Sequence, residues 1–260
     1  MVSERVQGRT FGEVADEYDR YRPSYPDELV TAVIAYAGGP RLDVLEVGAG
    51  TGKATTLFAS AGLRISALEP DPAMAAILRK KCAPFPHVEV AVTSFEEYTA
   101  HSQFDLLMSA QAWHWTDSAT RWDRAAEFLR PGGSLAVFGN YDLIADKGIR
   151  AAFDQAHTDH APSIDWTDEP YEPEHLWDRL WGSEMKEQPA FEQLEAKVFR
   201  SVRMQSRQEY LAYLATHSPY RMLSDRSRAE VFNAVASILP DPVVSDVDTV
   251  LYLARRSMTE

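Results

Sequence analysis

The sequence predicts an α/β protein, doubly wound around a mostly parallel, seven-stranded Rossmann-like sheet with an antiparallel edge strand and an inserted helical cap. Three observations predict it. Short apolar runs alternate with amphipathic stretches through the first half, the order that parallel strands joined by crossover helices produce. The first run ends in a glycine-rich turn and the second in an acid. Beyond Asn140 the chain turns acidic and irregular before two further strand-like runs close it.

Taken in order, residues 43–47 (DVLEV), 65–68, 88–92 and 104–108 (FDLLM) read as four buried strands. Between them, residues 54–60 and 72–81 have helical character, and Pro72 suits a first helical turn. Trp122, Ala125, Ala126 and Leu129 recur at helical spacing, and Arg130-Pro131-Gly132-Gly133 is expected to stop that helix before a fifth strand at 134–138. Residues 142–188 are rich in Asp, Glu and Pro yet carry Trp166, Tyr171, Trp177 and Trp181, so they read as a cap and not a linker. A strand at 194–202, helices at 209–214 and 229–239 and a strand at 247–254 complete the chain. The expected division is a lid and first helices at 1–40, a cofactor-binding core at 41–141, the cap at 142–190 and a C-terminal part at 191–260 that completes the sheet and acceptor pocket.

Composition narrows the function. With 260 residues, 45% of them hydrophobic and 11% aromatic, the chain can bury a sizeable core. No apolar run approaches the roughly 18 residues of a membrane span, and MVSERVQGRT has no apolar secretory region, so a cytoplasmic protein without a membrane partner is expected. Cys82 is the only cysteine, which excludes intrachain disulfides and thiolate metal clusters. A net charge of -13 repels a polyanion and disfavours nucleic acid as a partner. A monomer or homodimer acting on a small molecule is the expected state.

Chemistry concentrates at residues 46–52, EVGAGTG, at the carboxyl end of the first strand, where open α/β sheets bind ligands. A plain strand-to-helix turn would use the same glycines. Glu69, however, follows 19 positions after Gly50 at the end of the second strand, placed to accept from both ribose hydroxyls of a nucleoside. The spacing is G-x-G-x-G and not the dinucleotide G-x-G-x-x-G, and Glu46 stands just before it. A carboxylate there repels a pyrophosphate but pairs with a cationic α-amino group, which S-adenosylmethionine carries. A nicotinamide-dependent oxidoreductase would need the other spacing and a proton relay that the sequence does not offer. A non-catalytic cofactor-binding module stays open.

The stretches LEVGAGTGKAT, ALEPDPAM, FDLLMSAQAWHW and LRPGGSLAVF, in this order and spacing, resemble the motif series of class I S-adenosylmethionine-dependent methyltransferases. FGEVADEYDRYRPSYP, AQAWHW and YLATHSPY resemble more specifically the trans-aconitate methyltransferase-like branch, whose members act on small molecules. The resemblance implies S-adenosyl-L-methionine as methyl donor and S-adenosyl-L-homocysteine as product. Gly48, Ala49, Gly50 and Gly52 would line its methionine and ribose portions, Glu69 would bind the ribose, Pro70 and Met74 would flank the adenine, and Ala110 would join them. Where the family usually offers an Asp to the adenine, this chain reads Thr93-Ser94-Phe95-Glu96, so Ser94 or a backbone group would substitute. Phe95 is either a core residue or a contact of the adenine ring.

Tyr18 and Arg22 suit either an exposed helix end or a lid that grips a carboxylate, and the resemblance favours the lid. His114, between Trp113 and Trp115, is either a packed side chain or an acid/base or positioning group for the acceptor. Trp113, Trp115, Ser218, Tyr220 and Arg221 are the candidate acceptor contacts. Between Arg200 and Arg228 six arginines face only Glu209 and Asp225, which points either to an anionic acceptor or to pairing with the acidic cap. His157 and His160 have a metal-like spacing but no third ligand, and read as solvated surface; no metal is expected.

Overall fold

The computed structural model describes residues 11–164 and 170–258. Among these, seven strands form one sheet in the order β3-β2-β1-β4-β5-β7-β6, with β1 Asp43–Val47, β2 Arg64–Leu68, β3 Val88–Ala91, β4 Phe104–Ala110, β5 Leu129–Ile144, β6 Phe191–Gln205 and β7 Val243–Arg256. The sheet is mostly parallel with one antiparallel edge pair, as expected. The central strands are nearly continuous apolar runs because helices cover both faces of a parallel sheet: Val44, Leu45, Val47, Leu106 and Leu107 are all buried. Parallel registers run Val44 to Ile65, Val44 to Leu106 and Ile65 to Val88, which align the carboxyl ends of β1, β2 and β4. The helix Pro72–Cys82 starts where Asp71 accepts from the N–H groups of Ala73 and Met74, leaving Pro72 at a position that needs no donor.

The fifth strand departs from expectation. It begins at Leu129, pairs Phe104 with Leu129 and Leu106 with Ser134, and so carries Pro131-Gly132-Gly133 as a bulge and not as a stop, with Gly132 at φ 76°. Leu129 therefore belongs to the strand, while Trp122 and Ala125 are the buried face of the helix Arg121–Phe128. β6 and β7 also run longer than expected.

The chain clusters into two compact units. The first comprises Met1–Pro23, Tyr141–Pro170 and Arg200–Asp248; the second comprises Ser24–Asn140, Tyr171–Phe199 and Thr249–Glu260. The segment expected as one cap is thus shared, up to Pro170 with the first unit and from Tyr171 with the second. Trp166 lies outside the described residues. Tyr171 and Trp181 are buried in the second unit, where Trp177 and Trp181 meet Tyr252 edge-on and the Tyr252 hydroxyl donates to Leu176 O at 2.7 Å. Each unit has its own apolar core: Leu29, Phe58, Leu106 and Phe138 in the second, Phe153, Tyr213, Val231 and Val235 in the first. Cys82 is buried, with its thiol pushed up to about 11 by burial. No helix among the described residues is long and apolar enough to cross a membrane.

Candidate functional site

In the second unit, the turns after β1 and β2 are tied together by one side chain. Glu69, at the end of β2, accepts from Gly50 N through one oxygen and from Asp71 N through the other, both at 2.8 Å. Ala49 N donates to Leu68 O at 2.9 Å, closing the same junction. Each carboxylate oxygen keeps a further lone pair for a ligand hydroxyl. Burial pushes Glu69 up to about 7, against the lowering effect of its two backbone donors.

Glu46 lies deeper and is fully buried. Among the described residues neither of its oxygens makes a hydrogen bond of normal geometry, nor do the hydroxyls of Thr51 and Thr55. Burial drives its pKa up to about 8; Thr55 stands near enough to offset part of the rise, and Glu69 adds to it. Buried polar atoms are paired in all but a few cases, and this set keeps acceptor capacity to spare. A group with several N–H donors and a positive charge fits it.

Met74, Pro70, Ala110, Ser94 and Phe95 belong to the same unit as this turn. A Cβ on Gly50 would make ordinary contact with the buried Met74 at 3.7 Å, so Gly50 owes its identity to a φ of 59° and not to crowding. Pro70 is exposed, and Ala110 ends β4 opposite Phe138. Ser94 accepts from Glu97 N at 3.2 Å in a local turn. Phe95 is buried between Trp113 and Phe128, with the Arg124 guanidinium 5.5 Å from its ring. Trp113 is likewise fully buried, against Trp122, so of the Trp113–Trp115 turn only its neighbours reach solvent. His114 is exposed, stacked on Trp181 at 6.3 Å with the rings 12° from parallel.

Tyr18, Arg22, Ser218, Tyr220 and Arg221 belong to the first unit. Arg22 donates to Thr216 Oγ1 at 2.9 Å and to Thr216 O at 3.2 Å, with its guanidinium over the rings of Tyr18 and Tyr213. Arg203 stands 3.6 Å from the buried Asp142 and over the same Tyr213 ring. Burial raises Asp142, while Arg203 and Arg22 pull it back down. Ser218 is buried at the start of a short helix, and Arg221 pairs with Glu13. Arg226 pairs with Glu230, Arg228 with Asp225 and Arg200 with Asp248, so most of the arginine surplus is met by nearby acids, and Arg203 alone among these pairs uses the acidic segment after Asn140.

His157 overturns its expectation as solvated surface. It is buried, its Nδ1 bonded to Phe153 O at 2.8 Å and its Nε2 to Tyr220 Oη at 2.7 Å. An amphipathic helix places its apolar stripe against the core, and His157 falls on the stripe with Phe153 and Ala156. Since Nδ1 must donate to a carbonyl, Nε2 accepts from the tyrosine, and burial lowers the ring's pKa so that this neutral form persists. Tyr220→Phe should therefore cost about 1–3 kcal/mol, the penalty for an orphaned buried acceptor; an unchanged thermal midpoint would refute it. No group of three or more His, Cys, Asp and Glu among the described residues could hold a metal.

Thr51, Thr55 and Gln111 were not among the expected site residues. The first two were legible, since Thr51 lies inside the glycine turn and Thr55 one helical turn on, facing back to it. Gln111 has a φ of 53° that no sequence pattern announces.

Comparison with known proteins agrees with this geometry. Residues 44–133 match the family described as methyltransferase domain. An uncharacterized methyltransferase of Mycobacterium tuberculosis is 37% identical over 139 residues, 53% of this chain and 55% of that protein. The chain thus spans about half the length of such curated relatives. Malonyl-[acyl-carrier protein] O-methyltransferase 1 of Ilyobacter polytropus is 26% identical over 150 residues, 54% of each chain. Among solved structures, a protein provisionally named a type II methyltransferase from Anaeromyxobacter dehalogenans superposes with a TM-score of 0.65 at 25% identity, covering 91% of this chain and 98% of its own. A phosphoethanolamine N-methyltransferase of Haemonchus contortus, determined with S-adenosylhomocysteine, shares the fold at a TM-score of 0.54 and 14% identity, over 96% of this chain and 60% of its own. Residues 44–133 thus match a methyltransferase domain, and the seven-stranded sheet around them has the fold of solved methyltransferases.

Proposed function

We propose that the chain is an S-adenosylmethionine-dependent methyltransferase whose acceptor is a small molecule bearing a carboxylate or hydroxyl, in keeping with its likeness to the trans-aconitate methyltransferase-like branch. The observation that carries the cofactor is the spare acceptor capacity of the buried Glu46, Thr51 and Thr55 oxygens beside the two-point Glu69 clasp. In this reading Glu46 takes the α-amino group with help from the two threonines. Glu69 takes the ribose hydroxyls, Gly48, Ala49, Gly50 and Gly52 give the backbone close approach, and Pro70 and Met74 flank the adenine, with Ser94 and Ala110 at its margin.

When bound, the cofactor supplies a methyl group already activated on a sulfonium. The protein's part is to align the acceptor and exclude water, and alignment alone can contribute about 7–11 kcal/mol. A carboxylate acceptor is ionised at neutral pH and needs no base, whereas a hydroxyl needs one. His114 is the group assigned to that task, and it is exposed at the edge after β4 with Trp115 beside it. His114→Ala is expected to lower turnover of a hydroxyl acceptor about 10²-fold and of a carboxylate by far less. Equal small losses on both acceptor types would remove His114 as a base.

The anionic reading of the acceptor rests on the run of arginines from Arg200 to Arg228, even though Arg221 already pairs with Glu13 and the Tyr220 hydroxyl with His157, and gains from the carboxylate of the malonyl group that the Ilyobacter polytropus relative is named for. The test is release of S-adenosylhomocysteine over a panel of small acids, their amides and their methyl esters, repeated with Arg221→Ala. Release with acids alone supports the proposal. Equal rates on charged and neutral acceptors would remove the anionic part, and binding of the cofactor without release on any acceptor would favour a non-catalytic module.

A further inference from the structure

We propose that Gln111 is a positioning residue that presets the β4 edge of the cofactor turn, and that Asn140 holds it there. The inference rests on the cofactor reading above. Gln111 follows β4 directly and has a φ of 53°, a left-handed conformation that costs any residue with a Cβ and that clusters at functional sites. Two hydrogen bonds hold it: its own N–H donates to Phe138 O at 2.8 Å, and its side-chain Nε2 donates to Asn140 O at 2.7 Å.

Asn140 is itself fixed from both ends of its amide. Its Nδ2 donates to Ser24 O at 3.0 Å, and its Oδ1 accepts from Thr249 Oγ1 at 2.6 Å. The side chain is buried, so the amide cannot rotate without breaking both bonds. Thr249 and Ser24 thus pin the side chain of the β5 residue whose main-chain carbonyl accepts from Gln111, just past β4, and all four lie within the second unit.

What this bracing holds in place is the residue after Gln111. A Cβ added to Gly48, the first glycine of the turn, would come within 2.3 Å of the Ala112 Cβ. Gly48 thus lies against the Ala112 methyl with no room for a side chain, and Ala112 follows directly on the left-handed turn at Gln111. A relaxed Gln111 would let Ala112 draw away and leave the glycine turn free to sample other geometries, which lowers affinity without removing any ligand contact.

Strain and brace make opposite predictions for one substitution. Gln111→Gly relieves the backbone strain, so the unfolding temperature of the ligand-free protein should hold or rise. It also removes the amide brace, so the Kd for S-adenosylhomocysteine measured by calorimetry should rise about tenfold. A purely structural Gln111 predicts no change in affinity, and a Kd within about twofold of wild type would overturn the proposal. Gln111→Glu keeps the size but cannot donate to Asn140 O, and should weaken binding in the same direction. If Gln111 variants fail to fold, Thr249→Val decides: it frees one end of the Asn140 amide and should raise Kd severalfold, while unchanged binding would again overturn the proposal. Wild-type protein that fails to bind S-adenosylhomocysteine would sink the cofactor reading itself, a result distinct from any of these.

Discussion

Glu69→Ala is expected to weaken S-adenosylhomocysteine binding by about 1–3 kcal/mol, roughly 5- to 150-fold, because ligand hydroxyls are left without an acceptor in a buried setting. The same change removes the acceptor from Gly50 N and Asp71 N, so the turns after β1 and β2 lose their common anchor. The unfolding temperature should therefore fall as well, even without ligand. Glu69→Gln separates the two effects from simple loss of volume. An amide can offer one oxygen to one of the two N–H groups, but its NH2 must then face the other donor, so glutamine should rescue little. Calorimetry on both variants is the measurement. Wild-type affinity in Glu69→Ala would remove Glu69 from the cofactor site, and wild-type behaviour of Glu69→Gln would show that the pair of backbone donors does not need a carboxylate.

How much of this was legible in the sequence follows from where the physics is local. The glycine turn and Glu69 could be read because a buried strand, a sharp turn and an acid at the next strand end are all set by neighbours in the chain. The junction that Glu69 makes with Gly50 spans 19 residues but is fixed by the parallel register of β1 and β2, which the alternating pattern already implies. Other features depend on partners far along the chain. His157 has the look of a surface residue until the helix face it occupies is known, and its satisfaction by Tyr220 lies 63 residues away. The arginines from Arg200 to Arg228 suggest a charge reversal only because most of their acids, among them Glu13, Asp142 and Asp248, lie elsewhere in the chain. Pro131-Gly132-Gly133 read as a stop because glycine and proline punctuate most chains, whereas here a bulge against β4 absorbs them. Of the boundaries between the two units, the one after Asn140 coincides with the point where the chain turns acidic, whereas the one between Pro170 and Tyr171 falls inside the segment read as a single cap.

Cofactor binding should strengthen as pH rises toward about 8, and Glu46 is the reason. In the ligand-free protein burial holds its pKa at about 8, so the side chain carries a proton at neutral pH. Pairing with the ammonium of the cofactor favours the carboxylate and pulls that pKa down. Binding at neutral pH therefore releases a proton, and the association constant should rise about tenfold per pH unit below the ligand-free pKa, levelling off above it. The cofactor's own α-amino group loses its proton near pH 8, so affinity should pass through a maximum there and not keep climbing. Stability runs the other way. The unfolded chain holds the same glutamate at its ordinary value of 4.5, so between that pH and about 8 the folded state binds more protons and loses stability as pH rises. Glu46→Gln uncouples the two: the ligand-free variant should melt higher than wild type at pH 8, bind S-adenosylhomocysteine more weakly, and show no rise of affinity from pH 6 to 8. Calorimetry in buffers of different ionisation enthalpy would count the proton directly. A wild-type protein that binds with no proton release at pH 7, or a Glu46→Gln variant with the wild-type pH profile, would mean that Glu46 does not meet the amino group.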